Sequence, residues 1–149
     1  MELTAYLFAL IGMGSMIALP GIGSAIALSR TGSSVIGSLH KKPETFGNLL
    51  VLAALPASQG LYGFVGFILY SPMVTPEISM FKAVITFIAG IMMGVVCYMS
   101  AMQQSRICVG GITAIGNGHQ LFANTLILAA FPEFYAILSL VATILASNF

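Results

Sequence analysis

Charge is what this sequence has least of. Of its 149 residues only 6% are charged, while 58% are hydrophobic. Soluble domains carry roughly 25% charged residues, so this chain cannot cover a water-facing surface. A mean hydropathy of +1.03 agrees. The net charge of +1 excludes the basic patch that nucleic-acid binding needs. No strand-like alternation of polar and apolar residues is present, which excludes an outer-membrane barrel. The first apolar run leads into small residues at Ser24-Ala25-Ile26-Ala27, yet the only charge before it is Glu2. A secretory signal would begin with a basic segment, so 3–29 is read as a retained helix. Cysteine is scarce as well. Cys97 and Cys108 fall on one expected helix, about 16 Å apart along its axis. That is too far for a disulfide, and both are read as packing thiols.

What the sequence does have is long apolar runs. Segments 3–29, 46–70 and 83–105 contain no charge, and 121–146 contains Glu133 alone. A spanning helix needs about 20 apolar residues, and in hydrocarbon every backbone group must be satisfied within the chain. The expected class is therefore an all-α membrane protein with four transmembrane helices. Sliding the sequence against itself by 76 residues reveals an ungapped repeat: Leu50-Val51-Leu52-Ala53-Ala54-Leu55-Pro56 falls on Leu126-Ile127-Leu128-Ala129-Ala130-Phe131-Pro132. Ser29-Arg30 falls on Ser105-Arg106, Ser24-Ala25 on Ser100-Ala101, and Phe46 and Asn48 on Phe122 and Asn124. The chain is thus read as two tandem antiparallel hairpins, 1–71 and 77–149, joined by a linker at 72–76.

The hairpin loops differ in chemistry. His40-Lys41-Lys42-Pro43-Glu44-Thr45 places a proline and an acid where a first helical turn favours them. Gly116-Asn117-Gly118-His119-Gln120 supplies glycines for a helix C-cap. Both loops belong on one side of the membrane and the linker and termini on the other. Lys41 and Lys42, with Arg30 and Arg106 behind them, mark the loop side as cytoplasmic by the positive-inside bias. The first helix is rich in small residues (Gly12, Gly14, Gly21, Gly23, Ala25, Ala27), which suit close helix packing. Gly21-Ile22-Gly23 follows no strand and precedes no acidic partner, so a nucleotide loop is set aside.

Glu133 is the chemical centre of the sequence. It lies about 14 residues beyond the second loop, or roughly 20 Å of helix, close to mid-membrane. An acid there is expensive unless neutralised or partnered, and by default marks a functional site. The plainer alternative is a protonated structural glutamic acid. An antiparallel hairpin turning near residue 118 brings Glu133 opposite Gln103-Gln104. The repeat puts Ala57 at the equivalent of Glu133, so only one hairpin supplies the carboxylate. Beside Ala57 come Ser58, Gln59 and Tyr62, which share a helix face with Leu55 at i, i+3, i+4 and i+7. Intramembrane amides and hydroxyls can simply join helices. A carboxylate, two amide carbonyls and a hydroxyl at one depth are also a hard-cation donor set. One carboxylate balances one monovalent ion. A proton needs the carboxylate alone and leaves Gln59 and Gln104 with less to do.

With these residues the chain resembles the duplicated proteolipid, the c or K subunit, of the membrane ring in V/A-type rotary ATPases. The resemblance covers the two hairpins, the Lys41-Lys42-Pro43-Glu44 loop, and Leu55-Pro56-Ala57-Ser58-Gln59-Gly60-Leu61-Tyr62-Gly63-Phe64. It continues in Glu133 followed by Tyr135-Ala136-Ile137-Leu138, and is strongest with the sodium-coupled members. It implies Glu133, Gln104, Gln59, the Ser58 hydroxyl and the Leu55 carbonyl as Na+ ligands, with Tyr62 hydrogen-bonded to the carboxylate and holding the site shut. Ser58 stands where such members often have threonine, and Pro132 departs from the pattern. A helical proline frees the carbonyl four residues earlier, which here means Leu52 and Leu128; the Leu55 ligand therefore comes from the resemblance. Also implied is a homo-oligomeric rotor ring in the lipid bilayer, with the first and third helices inside. A stator subunit would meet the ring, a central-stalk subunit would sit at the cytoplasmic loops, and the chain would catalyse nothing itself. Three rivals remain: the same ring coupled to H+, a small four-helix drug/proton exporter, and a structural pore-forming proteolipid. The exporter needs neither the repeat nor the Ser58-Gln59 pair, and the pore leaves Glu133 unexplained.

Overall fold

The computed structural model describes residues 2–149; Met1, where the first segment begins, and the Glu2 side chain lie outside the described part. Helices are the regular elements of the described residues, joined by short turns, with no strand among them. Helix α1 runs Glu2–Leu39. The second apolar run forms α2 (Phe46–Ala54) and α3 (Ser58–Tyr70). Then come α4 (Met80–Gly116) and α5 (Phe122–Ala146). Four stretches are long and apolar enough to cross a membrane: Leu3–Leu39, Pro43–Met73, Met80–Gly116 and Phe122–Ala146. The protein is an integral, multi-pass membrane protein. Large side chains such as Leu3, Ile22, Leu61, Phe81, Ile127 and Leu145 are exposed along these spans. Apolar surface on that scale suits lipid or neighbouring helices rather than water.

Local chemistry sets the ends of the spans. Pro43 and Glu44 open a single 3-10 turn ahead of α2. Helix α4 stops at Gly116, and Gly118 takes φ 101° while the His119 N–H donates back to the Ala114 carbonyl at 3.1 Å. Such a left-handed residue closes a helix end without a steric penalty only when it is glycine. Lys41 Nζ donates to Asn117 Oδ1 at 2.8 Å, so the two hairpin loops meet at one end. At the other end Ala5, Ala9, Ile78 and Ala83 form a small core with Tyr6 and Val74.

The second span departs from the uninterrupted helix expected of it. Pro56 sits in a 3-10 turn, Leu55–Ala57, between α2 and α3. Proline lacks the N–H that an α-helix would use, and the backbone tightens locally instead. Its repeat mate Pro132 leaves no such break, because α5 continues through it.

Helices α1 and α4 make the most extensive pairing; α3 lies on α1 and α5 on α4. Small residues permit the central pairing. A Cβ added at Gly90 would collide with the Gly12 backbone, and one at Gly23 would meet the Tyr98 backbone at 2.9 Å. Gly14 and Gly21 face open space, so only part of the small-residue set of α1 serves this contact. Gly90→Ala should therefore destabilise the chain by about 1–3 kcal/mol through overpacking, read as a lower thermal midpoint in detergent. Gly110→Ala, inside the same helix with nothing within 4 Å of the new methyl, should instead stabilise the chain by up to about 1 kcal/mol, the helix-propensity gain of alanine over glycine. Equal effects would contradict this account of the α1/α4 contact.

Candidate functional site

The break at Pro56 builds the first wall of the site. Its 3-10 turn sends the Ser58 N–H to the Leu55 carbonyl and disturbs the α-helical ladder on either side. Neighbouring α1 repairs it. The Thr31 hydroxyl donates to the Ala53 carbonyl at 2.8 Å, and the Gly60 N–H donates to the Ser24 hydroxyl at 2.8 Å. Interrupted helices survive in apolar surroundings when neighbours satisfy the freed groups in this way. The first turns of α3 then present Ser58, Gln59 and Tyr62 to α5.

Glu133, eleven residues into α5 and thirteen from its end, receives four donors. Ser58 Oγ lies 2.8 Å, Gln59 Nε2 2.9 Å and Gln104 Nε2 2.8 Å from Oε2, and the Tyr62 hydroxyl lies 2.5 Å from Oε1. An ionised carboxylate is an acceptor only, with about four lone-pair positions, so its capacity is close to filled. Bonds to a charged acceptor are roughly twice as strong as neutral ones. No Lys or Arg is among these partners; the negative charge meets dipoles, not a cation.

The two glutamines are locked to each other and to the backbone. Gln59 Nε2 also lies 2.9 Å from Gln104 Oε1 and 3.1 Å from Ser100 Oγ, so its two N–H groups are shared among three acceptors. The other N–H of Gln104 goes to the Ala129 carbonyl at 2.9 Å. Ser100 donates to the Pro132 carbonyl at 2.8 Å. The Ser58 hydroxyl also reaches the Leu55 carbonyl at 3.0 Å; with one proton, it donates to Leu55 or to Glu133 at any moment.

Among the described residues one buried side-chain polar atom has no partner, Gln59 Oε1, in a residue that is 0% exposed. Leaving an acceptor so costs about 1–3 kcal/mol, and such exceptions mark strain, function, or a place for a water or an ion. The donors on hand are oxygens: a carboxylate, two amide oxygens, a hydroxyl and a main-chain carbonyl, which is hard-cation chemistry. Among the described residues no three or more His, Cys, Asp or Glu come together, so the His- and Cys-rich clusters that softer metals prefer are absent from them.

The structure gathers Glu133, Ser58, Gln59, Gln104 and Tyr62 directly, and Leu55 through the Ser58 hydroxyl. Gln103 stays outside. It accepts from Arg106 at 3.1 Å and lines a separate groove with Val95, Met99 and Phe131, because one residue's step turns a helix by about 100°. Sequence reasoning missed Ser100 as a member of this network. Two signals could have found it: it lies four residues before Gln104 on the same helix face, and it is the repeat mate of Ser24.

Fold and site together define a multi-pass membrane proteolipid organised around one carboxylate within its spans. The pattern of the ATP synthase C-subunit family matches residues 11–70 and again 87–146, displaced by the same 76 residues as the internal repeat. The chain is 32% identical over 112 residues to the A-type ATP synthase subunit K of Methanocaldococcus jannaschii, covering 73% of this chain and 47% of that relative. It is 31% identical over 104 residues to the V-type sodium ATPase subunit K of Enterococcus hirae, covering 70% of this chain and 67% of that one. The chain thus spans about half the length of the first relative and two thirds of the second. It belongs to the ATP synthase C-subunit family in duplicated form, as a proteolipid of the V/A type.

Ser100→Ala removes a partner of Gln59 and the donor to Pro132. It should cost about 1–2 kcal/mol, seen as a lower thermal midpoint in detergent. An unchanged midpoint would mean that Ser100 does not steady the network.

Proposed function

We propose that this chain is a rotor-ring subunit of a V/A-type ATPase that carries one Na+ per copy across the membrane. The observation that carries the reading is the set of contacts on Glu133: Ser58, Gln59, Gln104 and Tyr62, with no basic side chain among them. One uncompensated carboxylate is neutralised by one monovalent cation, whereas a divalent ion would leave the bound site positive. Sodium must exchange its water for protein oxygens. Glu133, Gln59, Gln104, Ser58 and the Leu55 carbonyl would supply those oxygens; Gln59 Oε1 is a buried acceptor with no other partner, while Gln104 Oε1 and the Leu55 carbonyl would exchange the bonds they accept from Gln59 and Ser58 for the ion. Tyr62 would hold the carboxylate from the side facing the linker. The sodium named in the Enterococcus hirae relative supports the same ion. A ring coupled to H+ would need the carboxylate and little of the remainder.

The ring is a homo-oligomer, with α1 and α4 toward its centre and α3 and α5 outward, where a stator protein reaches Glu133. The hairpin loops, carrying His40, Lys41, Lys42 and His119, face the cytoplasm and the central stalk. The segments 1–71 and 77–149 are the two hairpin units, of which the second alone carries the acid. The chain performs no catalysis; ATP hydrolysis elsewhere in the complex, or an ion gradient in reverse, turns the ring.

Two measurements test this. Glu133→Gln keeps the side chain's shape and removes its charge, so transport should vanish while the ring still assembles; surviving transport would make Glu133 a structural acid. In the native ring, millimolar sodium should slow carbodiimide modification of Glu133. Losing one charge-assisted contact costs about 1.5–3 kcal/mol, so Gln59→Ala or Gln104→Ala should need at least about tenfold more sodium for equal protection. Modification that depends on pH and ignores sodium would establish H+ as the coupling ion.

A further inference from the structure

Two arginines stand apart from the carboxylate site. Arg30 and Arg106 are repeat mates, both are exposed, and they share a cleft of about 520 Å³ between α1 and α4 with Ser29, Ser33, Ser105 and Val109. Arg106 comes two residues after Gln104, about 3 Å along α4 but about 200° around it. It therefore faces away from Glu133 at nearly the same depth. Few of the arginine donors are engaged. A guanidinium offers five N–H groups, yet Arg30 has Met102 Sδ at 3.9 Å and Arg106 has Gln103 Oε1 at 3.1 Å. Both partners are neutral. The Ser33 and Ser105 hydroxyls donate to the Ser29 and Met102 carbonyls of their own helices, so the arginines are the groups left to recognise a ligand.

Their depth calls for one. Arg30 precedes the end of α1 by nine residues and Arg106 that of α4 by ten, about 15 Å of helix. The apolar runs of the second and fourth spans start at 46 and 121, directly at the loops. The apolar band on the α1/α4 face thus stops about 15 Å deeper than the band on the α3/α5 face. A charge within a span is costly unless paired. Glu133 has its own neutral donors, and Glu44 and Glu77 belong to the first loop and the linker.

We propose that this cleft binds a phosphate-ester anion between Arg30 and Arg106, and that the bilayer supplies it as the headgroup of an anionic lipid. Guanidinium groups meet phosphate oxygens through paired N–H bonds, and basic pockets between spans take anionic headgroups. A zwitterionic lipid would bring a further positive charge to two that are already unpaired. Depth favours a lipid over free phosphate, because acyl chains can lie along the charge-free runs 3–29 and 83–105. Each hairpin gives one arginine, so a single hairpin would form half the site. The proposal holds whichever ion Glu133 carries.

The test equilibrates assembled rings with equal amounts of phosphatidylglycerol and phosphatidylcholine, extracts them in mild detergent and counts the lipid retained. The rings are wild type, Arg30→Gln, Arg106→Gln, the double variant, and Lys41→Gln with Lys42→Gln as a loop control. Wild type and the loop control should prefer the anionic lipid by about twentyfold. Each single variant should lose about fivefold of that preference, and the double variant should fall to within about twofold of the mixture. No preference in wild type overturns the site, as does a loop control that loses as much as the double variant. If the double variant fails to assemble, the single variants decide, and unchanged retention in both overturns the proposal. In a parallel arm, millimolar inorganic phosphate should leave the retained lipid in place; displacement would give the cleft to free phosphate and overturn the lipid assignment.

Discussion

Everything in this structure answers to one difficulty: keeping a carboxylate in an apolar span. Such a group is costly unless dipoles replace its water. Here Ser58, Gln59 and Tyr62 come from α3, Gln104 from α4 and the acid from α5, so three helices must meet at one level within hydrogen-bond reach. The glycines secure that meeting. Gly63 lets α3 approach Met16 and Pro20 of α1, Gly66 packs against Met93 of α4, and Gly94 admits Ser15 and Leu19 of α1. Helix α1, which gives no side chain to Glu133, is what presses α3 and α4 together.

Duplication supplied the scaffold, and divergence gave each half a different part of the task. Pro56 and Pro132 are repeat mates, yet the chain breaks into a 3-10 turn at the first and stays helical through the second. Two of the carbonyls near Pro132 have partners from α4: Gln104 at Ala129 and Ser100 at Pro132. The acid sits on a continuous helix, while Ser58, Gln59 and Tyr62 start afresh from a turn. At the first hairpin's equivalent of Glu133 stands Ala57, the last residue of that turn. An acid there would bring a second charge to a layer that has donors for one.

Composition and repeat were legible because hydrocarbon imposes long-range rules: charge-free runs mark the spans, and a constant offset of 76 residues marks the hairpins. The residues around Glu133 were legible too, since a helical face can be read from spacing and a hairpin brings positions equidistant from its turn together. The break in the second span was missed although Pro56 was in view. Whether a proline kinks, breaks or is absorbed depends on what neighbouring helices offer the freed groups, and sequence spacing says nothing of that. The pairing of Gln104 but not Gln103 with Glu133 likewise depends on helix rotation, which hairpin counting fixes only to within one residue.

Ser24 and Ser100 show how one repeated residue came to serve two ends of one segment. Each is the same position of its hairpin, on α1 and α4 respectively. Ser24 accepts from the Gly60 N–H, repairing backbone just past the Pro56 turn. Ser100 accepts from the Gln59 amide and passes a hydrogen bond on to the Pro132 carbonyl. Both bonds therefore converge on residues 59 and 60, in the first turn of α3, one from α1 and one from α4. The 3-10 turn Leu55–Ala57 lies immediately before that point, and the first two turns of α3 carry three of the four donors to Glu133. Without support a 3-10 turn in an apolar layer would leave groups unpaired and the donors free to wander. The hydroxyls thus turn an irregular stretch into a rigid one, and an irregular stretch is what lets α3 offer Ser58, Gln59 and Tyr62 to a single carboxylate.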